Sequence, residues 1–441
     1  MSYTSKLKRS LNNCLKAINE NRAEHCNHPT KDFTRHKKID FDSVMKAVLC
    51  FSNGSLNKEI FEFFGCRSDT ATVSAFVQQR SKIKASAFEA LFYSFIQENQ
   101  PAKHFHGYSL IAVDGSDLYV PKNKNDPDSI CHNHTDSSFN LYHLNAFYDL
   151  LTHTYLDAVI QKRRNENEHS AYVTMVDRYR YSPKAIFIAD RNYESYNDMA
   201  HVQEAGHKFL TRLRDVDSKC ILKGFNAPSG EFDISSDLQF IRRKNKQTKE
   251  MMSHNPNIRF LPPTATFDYL PAYYKRSDPT LFFELHVRLV RVKLDDGTYE
   301  LLATNLDENE FPPPLLKELY SMRWGIETSF RKLKYTIGLL HFHSKKPEHI
   351  LQEIFAKLTM YNFTELVTLH IAIRKKKRKL TYKINFSVAA HVCRKFFLGV
   401  YALKSVEAAI SRNLLPFRPN LSKPRHLKQS PPTFSFYYRV A

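Results

Sequence analysis

Tyr320-Ser-Met-Arg-Trp-Gly-Ile-Glu-Thr-Ser-Phe-Arg-Lys-Leu-Lys334 holds four polar groups at a telling spacing. At about 100° per residue, a helix over this stretch gathers Tyr320, Arg323, Glu327 and Lys334 into an arc of roughly 60°. Leu319, Met322, Ile326, Phe330, Leu333 and Ile337 form an apolar stripe immediately beside it, so the polar row sits at the border of a core. A carboxylate held there, flanked by Arg, Lys and a Tyr hydroxyl, suits metal and phosphate chemistry. Read on its own, the pair Arg323 and Glu327 also fits a salt bridge on a helix surface.

The chain around this stretch has 441 residues, enough for two to four domains. It carries 65 Lys and Arg against 45 Asp and Glu, a formal net charge of +20, which calls for a polyanionic partner. Residues 374–441 alone hold sixteen Lys or Arg and one acid, Glu407. Seven scattered cysteines without a C-x-x-C pair argue against a disulfide framework. No apolar run approaches the roughly 18 to 20 residues that span a bilayer. The expectation is a soluble protein of the cytoplasm, at the bacterial nucleoid.

From about Phe41 to Gln97 the periodicity is helical, with Val44, Val48 and Leu49 in one segment and Leu56, Ile60, Phe63 and Phe64 in the next. Ser55 caps the second segment, Gly65 stops it, and a third carries Val73, Phe76, Val77 and Ile83. This pattern fits a helix-turn-helix as well as a plain helical bundle. The expected first domain, residues 1–107, is all-helical and DNA-binding.

Apolar runs then replace the helical period. Tyr108 to Val113 leads into Asp114, and Ala185 to Ala189 leads into Asp190, each the pattern of a buried strand. Strand candidates at 141–148, 155–160 and 208–213 and helices at 168–179 and up to Ala205 make residues 108–215 a mixed α/β body. Residues 216–305 read as a β-rich insertion, with Leu285, Val287 and Leu289 alternating before the Asp295-Asp296-Gly297 turn. Residues 306–373 return to helix, and 374–441 form a basic C-terminal segment. Two strand-end aspartates joined by a helical glutamate can hold two divalent cations about 3.5 to 4 Å apart, the arrangement that serves phosphodiester cleavage. Mg²⁺ takes such oxygen ligands together with substrate phosphates.

The spacing Y-x2-R-x3-E-x6-K at Tyr320, Arg323, Glu327 and Lys334 resembles the signature of DDE transposases of the insertion-sequence-four family. Asp114 in Val-Asp-Gly-Ser resembles that family's first catalytic aspartate, and Asp190 followed by Tyr193 its second. Asn192 departs from the Gly or Ala usual there; Asn tolerates the left-handed backbone. The resemblance covers roughly residues 40 to 370. It implies a ribonuclease-H-like catalytic core interrupted by a β-rich insertion, holding two Mg²⁺ ions, with Mn²⁺ as a substitute. It further implies a homodimer acting on double-stranded DNA, both transposon ends and target, in a synaptic complex, with no membrane involved. Catalysis and metal binding then fall to Asp114, Asp190 and Glu327. Phosphate contacts fall to Tyr320, Arg323, Lys334 and Tyr193.

Other residues carry paired readings. Trp324, the chain's single tryptophan, either stacks on a base or packs beneath the insertion. Arg242, Arg243 and Lys244 are a DNA-contacting loop or a solvated face. The run Arg374 to Lys379, with Lys375, Lys376 and Lys377 at its centre, is a salt-sensitive phosphate contact or a charged linker. The clusters His25-Cys26-Asn27-His28 and Cys131-His132-Asn133-His134 lack the spacing of a tetrahedral zinc site. Asp117 is a turn residue or an outer-sphere group. With 11 glycines and no Gly-rich phosphate loop, nucleotide hydrolysis is excluded. Besides a transposase, a host-retained DNA-binding protein and a ribonuclease-H-like nuclease stay in view.

Overall fold

The structure, a computed structural model, describes residues 2–35, 38–100, 103–132, 138–214, 228–275, 277–371 and 381–417. Five helices come first: α1 Tyr3–Glu20, α2 Phe41–Cys50, α3 Leu56–Phe63, α4 Val73–Arg80 and α5 Ala85–Asn99. Strands β1 Ser109–Val120, β2 Ile130–His132, β3 Ser138–Asp149 and β4 Thr154–Lys162 follow, then α6 Glu168–Asp177, β5 Ala185–Ala189, α7 Tyr196–Glu204 and β6 Lys208–Leu213. Next are β7 Phe232–Ile241, α8 Lys246–His254, β8 Ile258–Phe260, β9 Phe283–Lys293 and β10 Tyr299–Thr304. The chain continues through α9 Pro313–Met322, α10 Trp324–Arg331, a π-helical turn Lys332–Ile337 and α11 Pro347–Leu369. It closes with β11 Thr381–Ile384, α12 Phe386–Phe397, α13 Leu403–Arg412 and β12 Leu414–Phe417. Among the described residues no helix is long and apolar enough to cross a membrane.

Two compact units result. The first comprises residues 1–100, 118–141 and 330–441. Its hub is α11, buried around its whole circumference from His349 to Val367, with α1, α2, α5 and α12 laid on it. Phe88, Leu91, Phe92, Phe95 and Ile96 of α5 are fully buried, each worth about 1.5–3 kcal/mol relative to exposure. The N-terminal helices, expected as a domain ending near residue 107, therefore share a unit with α11 to α13, because the apolar face of α5 has its partner there. Ser55 caps α3 by accepting from Lys58 N, and Gly65 takes a φ of +78° after it. The connection from α3 to α4 spans residues 64–72, longer than the three-to-four-residue turn of a helix-turn-helix. α4 also turns Phe76 and Arg80 inward, leaving Gln78 exposed.

Residues 101–117 and 142–329 form the second unit. Its strands follow the order β3-β1-β5-β6-β10-β9-β7-β8, with β4 paired to β3 off this path. The β1–β5 and β5–β6 pairs are parallel, and β6–β10, β10–β9 and β9–β7 are antiparallel. Leu110 to Val113 and Ala185 to Ala189 are buried on both faces, as continuous apolar strands in a parallel arrangement require. α6 and α7 pack together and against β4 and β6, and α9 lies on β6 and β9. The stretch expected as a β-rich insertion is built from β7 to β10 and α8, and it extends the central sheet: β10 pairs directly with β6. Leu285, Val287 and Leu289 are buried as the alternation predicted, and Gly297 supplies the φ of +84° that the turn needs.

Candidate active site

Asp114 is not the last residue of its strand. β1 runs on to Val120, and Asp114 marks where burial relaxes. The parallel register pairs Leu110 with Ile186 and Ala112 with Ile188. Continued past the end of β5, this register brings Asp190 toward Asp114, and the charge of Asp190 acts on the Asp114 carboxyl. Asp190 caps the 3₁₀ turn Arg191–Tyr193, its Oδ1 accepting from Asn192 N at 2.8 Å. Asn192 thus sits in a right-handed turn, and no left-handed backbone is used there.

Glu327 comes from α10. The helix carrying it is not one continuous rod: hydrogen bonds tighten at Arg323, which accepts from Ile326 N and donates its own N–H to Tyr320 O, and the backbone widens to a π turn at Lys332. Gly325 allows close approach, since a Cβ there would lie 3.0 Å from Leu150 Cδ2. Tyr155 Oη, 2.7 Å from Ser329 Oγ, anchors α10 to β4. Leu319, Ile326, Phe330, Leu333 and Ile337 are buried as the stripe predicted.

Arg323 joins two of the carboxylates. Its Nη2 donates to Glu327 Oε1 at 3.0 Å, and its Nη1 lies 3.9 Å from Asp114 Oδ2. The helix salt bridge therefore exists, but its guanidinium is buried and also faces Asp114. Burial pushes the Asp114 carboxyl up to about 7; Arg323 opposes this, whereas the charges of Asp190 and Glu327 add to it. Three carboxylates thus share a partly enclosed site with one guanidinium, an excess of negative charge that a divalent cation would neutralise. Tyr193 Oη adds a buried hydroxyl without a hydrogen-bond partner, in the field of Asp114, Asp190 and Glu168.

The remaining sequence candidates separate. Tyr320 is buried, with its ring 5.6 Å from the Arg323 guanidinium. Tyr193 is buried against Tyr172, with ring centroids 5.5 Å apart, so it underlies the site and offers no phosphate contact. Trp324 is 51% exposed, with its ring 5.4 Å from the Arg323 guanidinium. Arg242 is buried and donates to the carbonyls of Pro263, Ala265 and Phe267. Arg243 donates to Asp278 O, and Lys244 lies 5.1 Å from the Phe260 ring centroid. Arg242 is thus spent on holding its own loop, whereas Lys244 is exposed. Lys334 stands on the π turn, within the first unit. Lys375, Lys376 and Lys377, like Asn133 and His134, lie outside the described residues. Cys26 is buried and bridges to Ile83 through its backbone, and neither Cys/His cluster gathers as a metal group among the described residues.

Sequence reasoning missed the residues beside Asp114. His143 on β3 meets Asp117 and Glu168, and Gly115 leaves room for them: a Cβ there would fall 2.2 Å from His143 Nε2 and 2.4 Å from Glu168 Oε1. Gly115→Ala is expected to destabilise the fold by about 1–3 kcal/mol through this overpacking. A urea unfolding curve with an unchanged midpoint would show that the space is available.

A family model described as the transposase DDE domain matches residues 105–363, a span containing Asp114, Asp190 and Glu327. Transposase InsG for insertion sequence element IS4 of Escherichia coli K12 is 34% identical over 96 residues, 21% of this chain and 22% of that protein. Putative transposase InsL for IS186A of Escherichia coli K12 and the transposase for IS421 of Escherichia coli are each 26% identical over 192 residues, 42% of this chain and 51% of theirs. The chain thus spans between about a fifth and a half of the length of these curated relatives. The piggyBac transposase synaptic complex with hairpin DNA aligns over 94% of this chain and 84% of that one, at 10% identity and a TM-score of 0.44, too distant a likeness to carry an argument.

Proposed function

We propose that this chain, which belongs to the DDE transposase family, binds the terminal inverted repeats of an insertion sequence and catalyses metal-dependent strand cleavage and strand transfer. The observation that carries this reading is the parallel register that brings Asp190 toward Asp114, with Arg323 reaching both Asp114 and Glu327. The strand order β3-β1-β5-β6, with β4 paired to β3, supports a ribonuclease-H-like core, with the strands from β7 onward as its β-rich addition.

Asp114, Asp190 and Glu327 are the residues that would hold divalent cations, Mg²⁺ for preference and in a pair, with Mn²⁺ able to substitute. The raised Asp114 carboxyl and the unpartnered Tyr193 hydroxyl fit such a role. When bound, the ions supply Lewis-acid polarisation of the scissile phosphate and a more acidic water. The protein's own groups do the rest. Arg323, fixed by Glu327 and the Tyr320 ring, adds positive charge beside the carboxylates, where the oxygens of a pentavalent phosphorus gain negative charge. Tyr320 acts by orienting that guanidinium. In-line attack of a water oxygen forms a new bond to phosphorus and breaks the bond to the 3′ oxygen; the proton the water gives up balances the one the 3′ oxygen takes on, leaving a 5′-phosphate and a 3′-hydroxyl that later attacks target DNA.

A net charge of +20 supports the affinity for both DNA partners, and two copies of the chain would synapse the two ends. The exposure of Trp324 beside Arg323 supports stacking on a base displaced from the duplex. Trp324→Ala is expected to slow cleavage by roughly tenfold, within the ~1–3 kcal/mol of one base–aromatic stack. A rate equal to that of the parent chain on end substrates would remove Trp324 from the site.

Incubating the purified chain with DNA carrying its own flanking ends, a supercoiled target and Mg²⁺ tests the reading. Products joined to target support a transposase. Cleavage without joining identifies a nuclease, and end binding without cleavage identifies a retained DNA-binding protein.

A further inference from the structure

Three carboxylates outside the proposed metal site converge on one buried imidazole. His143 Nδ1 lies 2.7 Å from Asp117 Oδ1 and 3.7 Å from Glu166 Oε1, and its Nε2 lies 2.9 Å from Glu168 Oε1. The His143 side chain is 7% exposed. The partners come from three places: Asp117 from β1, His143 from β3, and the glutamates from the start of α6, which Asn167 caps by accepting from Ser170 N. Asp117 Oδ1 accepts a hydrogen bond from Nδ1–H, and Glu168 beside Nε2 and Glu166 beside Nδ1 set negative charge on both sides of the ring, surroundings that favour an imidazolium. Burial alone would lower this imidazole's pKa, but its hydrogen bond to Asp117, its pairing with Glu168 and the charge of Glu166 raise it to about 9.

The position of the cluster gives it a consequence. The His143 ring and the Glu168 carboxylate occupy the space where a Cβ on Gly115 would stand, directly after Asp114. Glu168 also reaches the field of the buried Tyr193 hydroxyl beneath Asp190. We infer that His143 is a positioning residue, an imidazolium clamp that binds the Asp114–Asp117 segment of β1 to the first turn of α6 and compensates three carboxylates beside the catalytic pair. It touches no substrate. Without its charge, Asp117, Glu166 and Glu168 repel one another and the β1 segment carrying Asp114 loses its fixed place. Arg163 also pairs with Glu166.

The inference rests on the cleavage reading for its effect on rate, but the charge state can be read without activity. In ¹⁵N NMR of the side-chain nitrogens at pH 7.5, the histidine signals missing from His143→Gln are expected to be those of a doubly protonated ring; a neutral-tautomer pattern overturns the clamp. On cognate ends with Mg²⁺, His143→Gln is expected to slow cleavage by roughly 10- to 100-fold with end binding unchanged, the usual scale for a group supporting metal ligands. Adding Glu168→Gln removes the uncompensated carboxylate and is expected to restore most of the lost rate, whereas damage to packing alone would deepen with the second substitution. An unchanged rate in His143→Gln, or a double variant slower than the single, overturns the proposal. If the parent chain does not cleave, the transposase reading fails on its own, and the NMR result still decides whether the clamp exists.

Discussion

Asp114→Asn, Asp190→Asn and Glu327→Gln are each expected to lower Mg²⁺-dependent cleavage at cognate ends by roughly 10³-fold while end binding survives, the scale on which removing one group from a preorganised electrostatic site is felt. Each change keeps the side chain's shape and removes one negative charge from a site that has too many. Asp114 shows that excess most clearly, its carboxyl pushed up to about 7 by burial and by the charges of Asp190 and Glu327. Asp114→Asn is therefore expected to melt no lower than the parent chain, because that substitution relieves repulsion that the fold otherwise tolerates. Loss of cleavage together with undiminished melting temperature separates a functional carboxylate from a structural one. A variant that cleaves at the parent rate removes its carboxylate from the site.

Arg80→Leu is expected to produce the largest loss of stability, about 3–5 kcal/mol, because it breaks a buried ion pair and leaves its partner charged. Arg80 is 1% exposed, donating to Gln352 Oε1 at 2.8 Å, Glu353 Oε1 at 3.0 Å and His349 O at 2.7 Å. Glu353 is fully buried and also accepts from His343 N at 3.1 Å. Burial alone would raise the Glu353 carboxyl, but His343, Arg80 and Lys357 outweigh it and hold it at about 2. A carboxylate so depressed contributes stability in full above its ordinary value of 4.5, and the contribution fades as pH falls from there toward about 2. Removing Arg80 raises the Glu353 carboxyl, so acid unfolding begins at a higher pH. Urea midpoints recorded from neutral pH down to pH 3 check both statements, and coincident curves for the two proteins would show that the pair does not stabilise the fold.

The second unit was legible where burial on both faces left a mark in composition. Ala185 to Ala189 and Lys208 to Leu213 were readable to the residue, and Leu110 to Val113 announced β1, though its continuation past Asp114 into half-exposed positions carries no apolar signal. Helix α1 was missed as an element despite Leu7, Leu11, Leu15 and Ile18 at helical spacing behind the Ser2 cap. The tightening at Arg323 and the π turn at Lys332 break the uniform 100° step on which the Tyr320–Lys334 stripe was drawn, and backbone irregularities of this kind have no residue code. The packing of Arg242 was not legible, because a guanidinium folded back onto three carbonyls has the same sequence as one facing solvent. His143 could not be found, since its partners Asp117 and Glu168 are distant in the chain and meet it only through the pairing of β3 beside β1 and the placement of α6.

The central claim is that Asp114, Asp190 and Glu327 form one cation site. Its most direct measurement is anomalous diffraction at the manganese edge from crystals of the chain soaked in Mn²⁺. Density between these three carboxylates, lost in the Asp114→Asn variant, is the predicted result; manganese bound only elsewhere, with the three carboxylates unligated, would contradict it.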